Sequence, residues 1–124
     1  MKNLTITVLI VMLLLITYAV VFCTPEYKYY YMTATAYCPC EICCGKWADG
    51  LTFTGDVAGR GCAAIDPNKG PLKLRQRVFI VGYGEAVCND IGSAITYYDI
   101  DLCCNTHKEA VERGVELVKV YVLK

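Results

Sequence analysis

Histidine occurs once in the 124-residue chain, as His107, and no basic tract occurs anywhere. The missing tract argues against nucleic acid as a partner. One histidine leaves a Cys–His nucleophile pair only on paper, and such a pair suits an oxidising compartment poorly. Taken alone, His107 reads as a surface residue in the first turn of a helix, or as the partner of a nearby carboxylate. No internal repeat or low-complexity segment is present, so one domain is the default for this length. Net charge is missing too: 12 Lys and Arg balance 12 Asp and Glu, and only Lys2 precedes the first apolar run.

What the chain has in excess is apolar length and cysteine. Residues 4–22, LTITVLIVMLLLITYAVVF, carry no charge. Residues 1–22 therefore read as a signal peptide or signal anchor, long enough to span a bilayer. No A-x-A site follows, and Val-Phe-Cys makes a mediocre cleavage site, so removal and retention both stay open. Lys2 on the cytoplasmic side predicts that the remainder is exported, and that it stays membrane-anchored if the leader is retained. Beyond the leader lie Cys38, Cys40, Cys43, Cys44, Cys62, Cys88, Cys103 and Cys104. An even count in a small exported domain favours disulfides, each stabilising by about 2–5 kcal/mol, with a pairing that sequence cannot assign. Zinc is the rival: Cys38-Pro-Cys40 and Cys40-x-x-Cys43 have ligand-like spacing, and Cys103-Cys104 or His107 would complete a site. Export weighs for disulfides, so neither metal nor cofactor is expected.

Residues 23–31, CTPEYKYYY, read as a tyrosine-rich linker. MTATAY over 32–37 alternates as a strand does. Residues 38–62 are dense in Gly, Cys and Asp and read as a long structured loop, with a cysteine-rich insert at 38–44. CAAIDP begins a short strand that Pro67 ends, and RVFIVGYGEAVC resembles two strands around Gly82 and Gly84. In YDIDLCC, alternation points Ile100 and Leu102 one way and Asp99, Asp101 and Cys103 the other. Thr106 and Glu109 form a capping box for a helix over HKEAVER, which Gly114 stops. ELVKVYVL is the last strand, with Val118, Val120 and Val122 on one face. Short strands, one short helix and glycine-rich loops predict a compact, mainly β barrel spanning residues 32–124.

Asp49 and Asp56 sit in glycine-rich loops and read as turn formers. Asp66, Asp90 and Asp101 sit among apolar neighbours instead, and a carboxyl beside apolar walls can have the raised pKa that a general acid needs. Glycosidic bond cleavage is the reaction class that needs carboxylates and little else. Hydrolases commonly use two, whereas a lytic transglycosylase can manage with one. Trp47 and the tyrosines could stack on sugar rings, although packing is the ordinary role for any one of them.

The segments TATAY, TGDVAGRGCAAIDP, GYGEAVCNDIGSAI, IDL and HKEA-to-VKVYVL resemble, in order, the three-aspartate or 3D domain. That domain occurs in muralytic proteins of the stationary-phase survival type and resembles the catalytic part of membrane-bound lytic transglycosylase A. The resemblance runs from about residue 32 to 124. It implies a double-psi β-barrel, with Asp101 as the catalytic acid/base and Asp66 and Asp90 lining the same groove. Thr35, Tyr37, Gly92 and Ala94 are then the substrate-binding positions, and Asp99 is a solvated or auxiliary charge. The implied activity is peptidoglycan lytic transglycosylation with a 1,6-anhydro product, by a monomer that needs no metal. Glycoside hydrolysis is the neighbouring reaction. An expansin-like polysaccharide-binding module and a zinc-stabilised interaction domain are the non-enzymatic alternatives. The chain departs from the family pattern D-x-G-G-A-I-K-G, reading DIGSAITY, with Ser93, Thr96 and Tyr97 at the altered positions.

Overall fold

The computed structural model describes residues 1–23 and 25–124. Helix α1 spans Lys2–Phe22, and all its residues are exposed. Its 21 residues reach about 30 Å, the thickness of a bilayer's hydrocarbon core. By length and composition it could cross a membrane.

Six strands follow: β1 (Tyr29–Tyr37), β2 (Cys62–Ala64), β3 (Arg77–Ile80), β4 (Gly84–Asp90), β5 (Asp99–Cys103) and β6 (Glu116–Val122). They close into a barrel in the order β1-β5-β2-β4-β3-β6. Two pairings are parallel, β1 with β5 and β2 with β4, and the other four are antiparallel. This is the mainly β barrel expected, and its two parallel pairings agree with a double-psi arrangement. The short helix α3 (His107–Arg113) precedes the last strand. The Thr106 side chain accepts the Glu109 amide at its start, and Gly114 ends it.

Period-two alternation builds the interior. Met32 and Ala34 from β1, Val78 and Ile80 from β3, Ile100 and Leu102 from β5, and Val118 and Val120 from β6 all point inward and are buried. Ile65 and Leu72, from the segment after β2, complete the core. Cys103 departs from the expected pattern: it lies on the outer face with Asp101, yet it is fully buried. Tyr83 seals that end of the barrel. Its hydroxyl accepts the Gly61 amide and donates to the Cys103 carbonyl, both at 2.7 Å. The Arg60 and Arg113 guanidinium groups flank its ring at 4.8 and 5.1 Å, close enough for cation–π attraction.

Two boundaries differ from the sequence reading. Strand β1 begins at Tyr29, inside the segment read as a linker, because Tyr29–Tyr31 pair with Tyr121, Val120 and Lys119 of β6. The segment read as a loop over residues 38–62 contains one turn of helix, α2 (Glu41–Cys44), and a 3-10 turn at Gly45–Trp47. Neither turn has a buried residue.

Candidate functional site

The register across four strands places the aspartates. Thr35 of β1 lies beside Asp101 of β5, Asp101 lies beside Ala64 of β2, and Ala64 lies beside Asp90 of β4. A bulge between Ala63 and Ala64 brings Asp90 into that row. With strands about 4.8 Å apart, the Asp90 and Asp101 backbones flank the small Ala64 at roughly 10 Å from each other. Asp101 alternates with the buried Ile100 and Leu102, so its carboxyl leaves the barrel on the outer face.

The two carboxyls are held differently. Asp90 is fully engaged: Oδ2 accepts the Tyr37 hydroxyl at 2.7 Å, and Oδ1 accepts the Phe53 and Ile91 amides at 3.0 Å each. Among the described residues, Asp101 accepts only the Thr35 hydroxyl, at 3.0 Å on Oδ1. Burial raises the Asp101 pKa above the usual carboxylate range, the Thr35 bond pulls it partly back, and the nearby Asp90 charge pushes it up again. Tyr37 reaches Asp90 from two residues beyond Thr35 on β1, and burial followed by the Asp90 contact raises its own pKa well above the ordinary phenol value.

Asp66 serves a turn. Its Oδ1 accepts the Asn68 and Lys69 amides at 3.0 Å each, and Oδ2 accepts the Tyr97 amide at 3.1 Å. Backbone amides, first that of Lys69 and then that of Tyr97, hold its pKa below the usual range. Gly70 closes the same turn, since a Cβ there would meet the Tyr97 and Asp66 carbonyl oxygens at 2.5 and 2.6 Å. The structure thus puts Asp90 and Asp101 in one row, while Asp66 ties the exit of β2 to the 91–98 loop.

Gly92 and Ala94 lie exposed in that loop, where the Ile95 amide donates to the Gly92 carbonyl at 3.0 Å. The departures from the family pattern have local partners. Tyr97 takes a positive φ of 50°, the region that favours glycine, and Lys69 Nζ lies 5.6 Å from its ring centroid. The Thr96 hydroxyl donates to Asp99 Oδ2 at 3.2 Å, so Asp99 closes the turn before its own strand. Asp49 accepts the Leu51 amide, and Asp56 accepts Thr54 and Asn89 side chains, the turn-forming roles expected of them. The Phe53 amide on Asp90 is a contact that sequence reasoning missed. A backbone donor arriving from a distant loop leaves no residue-type signal.

All nine cysteines are free thiols in the structure. Cys62, Cys88, Cys103 and Cys104 are buried. Burial pushes the Cys88 and Cys103 thiols up to about 12. Cys38, Cys40 and Cys43 converge at the end of β1 with His107 from the first turn of α3. Cys44 stands beside them, its thiol donating to the Cys38 carbonyl at 3.3 Å. Burial raises the Cys44 thiol above its ordinary pKa, and charges around it, Asp90 and Asp101 among them, add to the rise. A shallow hollow lined by Tyr27, Phe79, Tyr121 and Leu123 lies elsewhere, on β3 and β6.

Fold and site together define a six-stranded double-psi-type barrel bearing an outward row of one engaged and one lightly held carboxyl. No family model matches the chain. Two proteins of Bacillus subtilis (strain 168) are similar to it. The cell wall-binding protein YocH is 35% identical over 96 residues, covering 74% of this chain and 31% of that protein. YabE, to which cell wall shaping is provisionally attributed, is 33% identical over 93 residues, covering 74% of this chain and 22% of that protein. The chain therefore spans between about a fifth and a third of the length of these relatives.

Proposed function

We propose that residues 32–124 act outside the cytoplasm on cell-wall glycan, with α1 serving as export signal or membrane anchor, and cleave peptidoglycan as a lytic transglycosylase. The observation that carries this reading is the inequality of the carboxyls. The oxygens of Asp90 and Asp66 are taken up by donors that fix them as acceptors. Asp101 alone combines a raised pKa with a single hydrogen bond. Two-carboxylate hydrolysis needs a second free group to activate water or attack the sugar, and the row offers none. One group suffices when the substrate supplies its own nucleophile.

In that reaction protonated Asp101 gives its proton to the glycosidic oxygen as the bond from MurNAc C1 breaks. The Asp101 carboxylate then takes the proton of the C6 hydroxyl, whose oxygen bonds to C1 and closes the 1,6-anhydro ring. Asp101 ends protonated, ready for another cycle. General acid–base catalysis of this kind contributes about 10²–10⁴-fold, and attack from within one sugar adds proximity. The proximity of Asp90, which Tyr37 holds in place, favours the protonated form of Asp101.

The names of the relatives favour a second reading, in which the outer face binds wall polysaccharide without cutting it. Incubation of the full chain with purified sacculi separates the two readings. Cleavage predicts anhydro-muropeptides by mass spectrometry. New reducing ends would replace transglycosylation by hydrolysis. Co-sedimentation with sacculi and no soluble product would leave binding as the function.

A further inference from the structure

We propose that Cys38, Cys40, Cys43 and His107 form a structural zinc site that clamps the cysteine-rich insert to the start of α3. Cys38 Sγ lies 3.3 Å from Cys43 Sγ and 2.6 Å from Cys40 Sγ. His107 Nδ1 lies 3.4 Å from the Cys43 sulfur and 4.0 Å from each of the other two. All four ligand atoms fall within 4.8 Å of one another. Zinc–sulfur bonds of about 2.3 Å and zinc–nitrogen bonds of about 2.0 Å give a tetrahedron with edges of roughly 3.5–3.8 Å. Most of the measured separations sit near that length. The Cys38–Cys40 pair must open by about 1 Å, a side-chain adjustment.

Three further observations fit a metal better than a disulfide. A disulfide uses two sulfurs and has no use for an imidazole nitrogen aimed at the third. The Cys43 and Cys44 amides donate to the Cys40 carbonyl at 3.2 and 2.9 Å, so the turn that gathers the thiols is held by its own backbone without a sulfur–sulfur bond. Finally, Glu41–Trp47 buries no side chain, and Ile42 and Trp47 are 76% and 72% exposed. Apolar packing therefore does not hold the insert, and a four-ligand metal would do so directly. Three thiols and one imidazole fill four positions, so the site is closed and structural rather than catalytic. Binding of Zn²⁺ releases three thiol protons to solvent and leaves a complex with one net negative charge.

The position gives the clamp a consequence. Tyr37, which holds Asp90, immediately precedes Cys38, and the Cys104 amide donates to the Tyr37 carbonyl at 2.7 Å. A metal joining Cys38 to α3 would fix both neighbours of that tyrosine.

The test uses the full chain in detergent, purified under reducing conditions, supplied with Zn²⁺ and desalted. Elemental analysis should find about one zinc per chain. Cobalt substitution should give a thiolate-to-cobalt charge-transfer band with strong tetrahedral absorption. Cys43→Ser and His107→Gln should each weaken metal binding by more than the about 10–100-fold typical of an outer-shell partner. Cys44→Ser should leave stoichiometry and cobalt spectrum unchanged. His107→Gln changes a half-exposed helix start, and near-ultraviolet circular dichroism of the barrel's tyrosines reports its folding, so metal loss is separable from unfolding. The proposal is overturned if the reduced, folded chain takes up no zinc. Disulfides among Cys38, Cys40 and Cys43 in a second preparation, made with Zn²⁺ but no reductant, would also overturn it, as would equal metal loss from Cys44→Ser. None of these readouts involves glycan, so they stand or fall apart from the wall-cleaving reading.

Discussion

Replacing Asp101 with Asn should abolish cleavage and stabilise the fold, a combination that few active-site substitutions are expected to give. The amide keeps an oxygen for the Thr35 hydroxyl, which now donates to Asp101 Oδ1 at 3.0 Å, so local geometry survives. What disappears is the exchangeable proton. Loss of a general acid and base costs about 10²–10⁴-fold in rate, or about 3–5 kcal/mol of barrier. Stability moves the other way. The Asp101 pKa is raised by burial and by Asp90, so the native state binds this proton more tightly than the unfolded chain does. The stability from this linkage is complete below the unfolded pKa of about 3.9 and is lost as pH rises through the folded value. Above that folded value the wild type carries a half-buried charge that Asn does not. Thermal unfolding followed by circular dichroism should give the variant the higher Tm on the alkaline side of the folded Asp101 pKa, with the gap closing in acid. Asp66→Asn is the control of opposite sign. Its carboxyl is held low by backbone amides, so its contribution is present above the unfolded pKa and lost as pH falls through the folded one. That variant should be less stable at neutral pH, and the deficit should shrink in acid. Equal yields of anhydro product from Asp101→Asn and wild type would refute the catalytic assignment. A Tm gap for Asp101→Asn that widens in acid would refute the electrostatic argument.

Tyr37→Phe removes the 2.7 Å donor to Asp90. A hydrogen bond to a charged group contributes about 1.5–3 kcal/mol, so Tm should fall by roughly 6–24 °C in a domain of this size. Gly70→Ala would press a methyl to within 2.5 Å of the Tyr97 carbonyl oxygen. Denaturant titration should find a loss above the median point-mutation cost of about 1 kcal/mol, and proteolysis should open the 91–98 loop first. At Tyr97, with φ of 50°, Gly relieves about 1 kcal/mol of left-handed strain but costs a similar amount in chain entropy. Tyr97→Gly should thus be near neutral by denaturant titration, whereas the β-branched Tyr97→Val should clearly destabilise. Ile100→Ala opens a cavity at a residue with no exposure. It should cost about 2–5 kcal/mol with an unchanged denaturant slope.

The parts of the fold legible in the sequence are those where local pattern and burial agree. Strand β5 alternates Asp99, Ile100, Asp101 and Leu102, and the barrel buries the two apolar members. Helix α3 carried its own start and stop in Thr106, Glu109 and Gly114. Closure into a double-psi arrangement came from the resemblance, because no periodicity says which strands run parallel. Tyr29–Tyr31 were missed as strand since their support is the distant edge of β6. The carboxylates were legible as residues but not as roles. Asp66 sits in an A-x-D-P context that marks it, yet its partners include the Tyr97 amide from another loop. Likewise, the ligand-like spacing of Cys38, Cys40 and Cys43 was visible. The choice of His107 over Cys103 and Cys104 required the fold, which buries the last two away from the cluster and presents the histidine at the start of α3.

One strand organises most of what the outer face can do. Met32 and Ala34 commit one side of β1 to the core, so period two commits Thr33, Thr35 and Tyr37 to the other. Thr35 then meets Asp101, Tyr37 meets Asp90, and Cys38 begins the sulfur cluster where the strand ends. A register slip of one residue would exchange these side chains for core residues all at once. The parallel register of Thr35 with Asp101 therefore constrains the proposed chemistry as much as the packing. Each carboxyl receives a hydroxyl from β1, but the count of further donors sets the outcome. Two backbone amides make Asp90 a fixed acceptor, and their absence at Asp101 leaves an acid group free to exchange its proton.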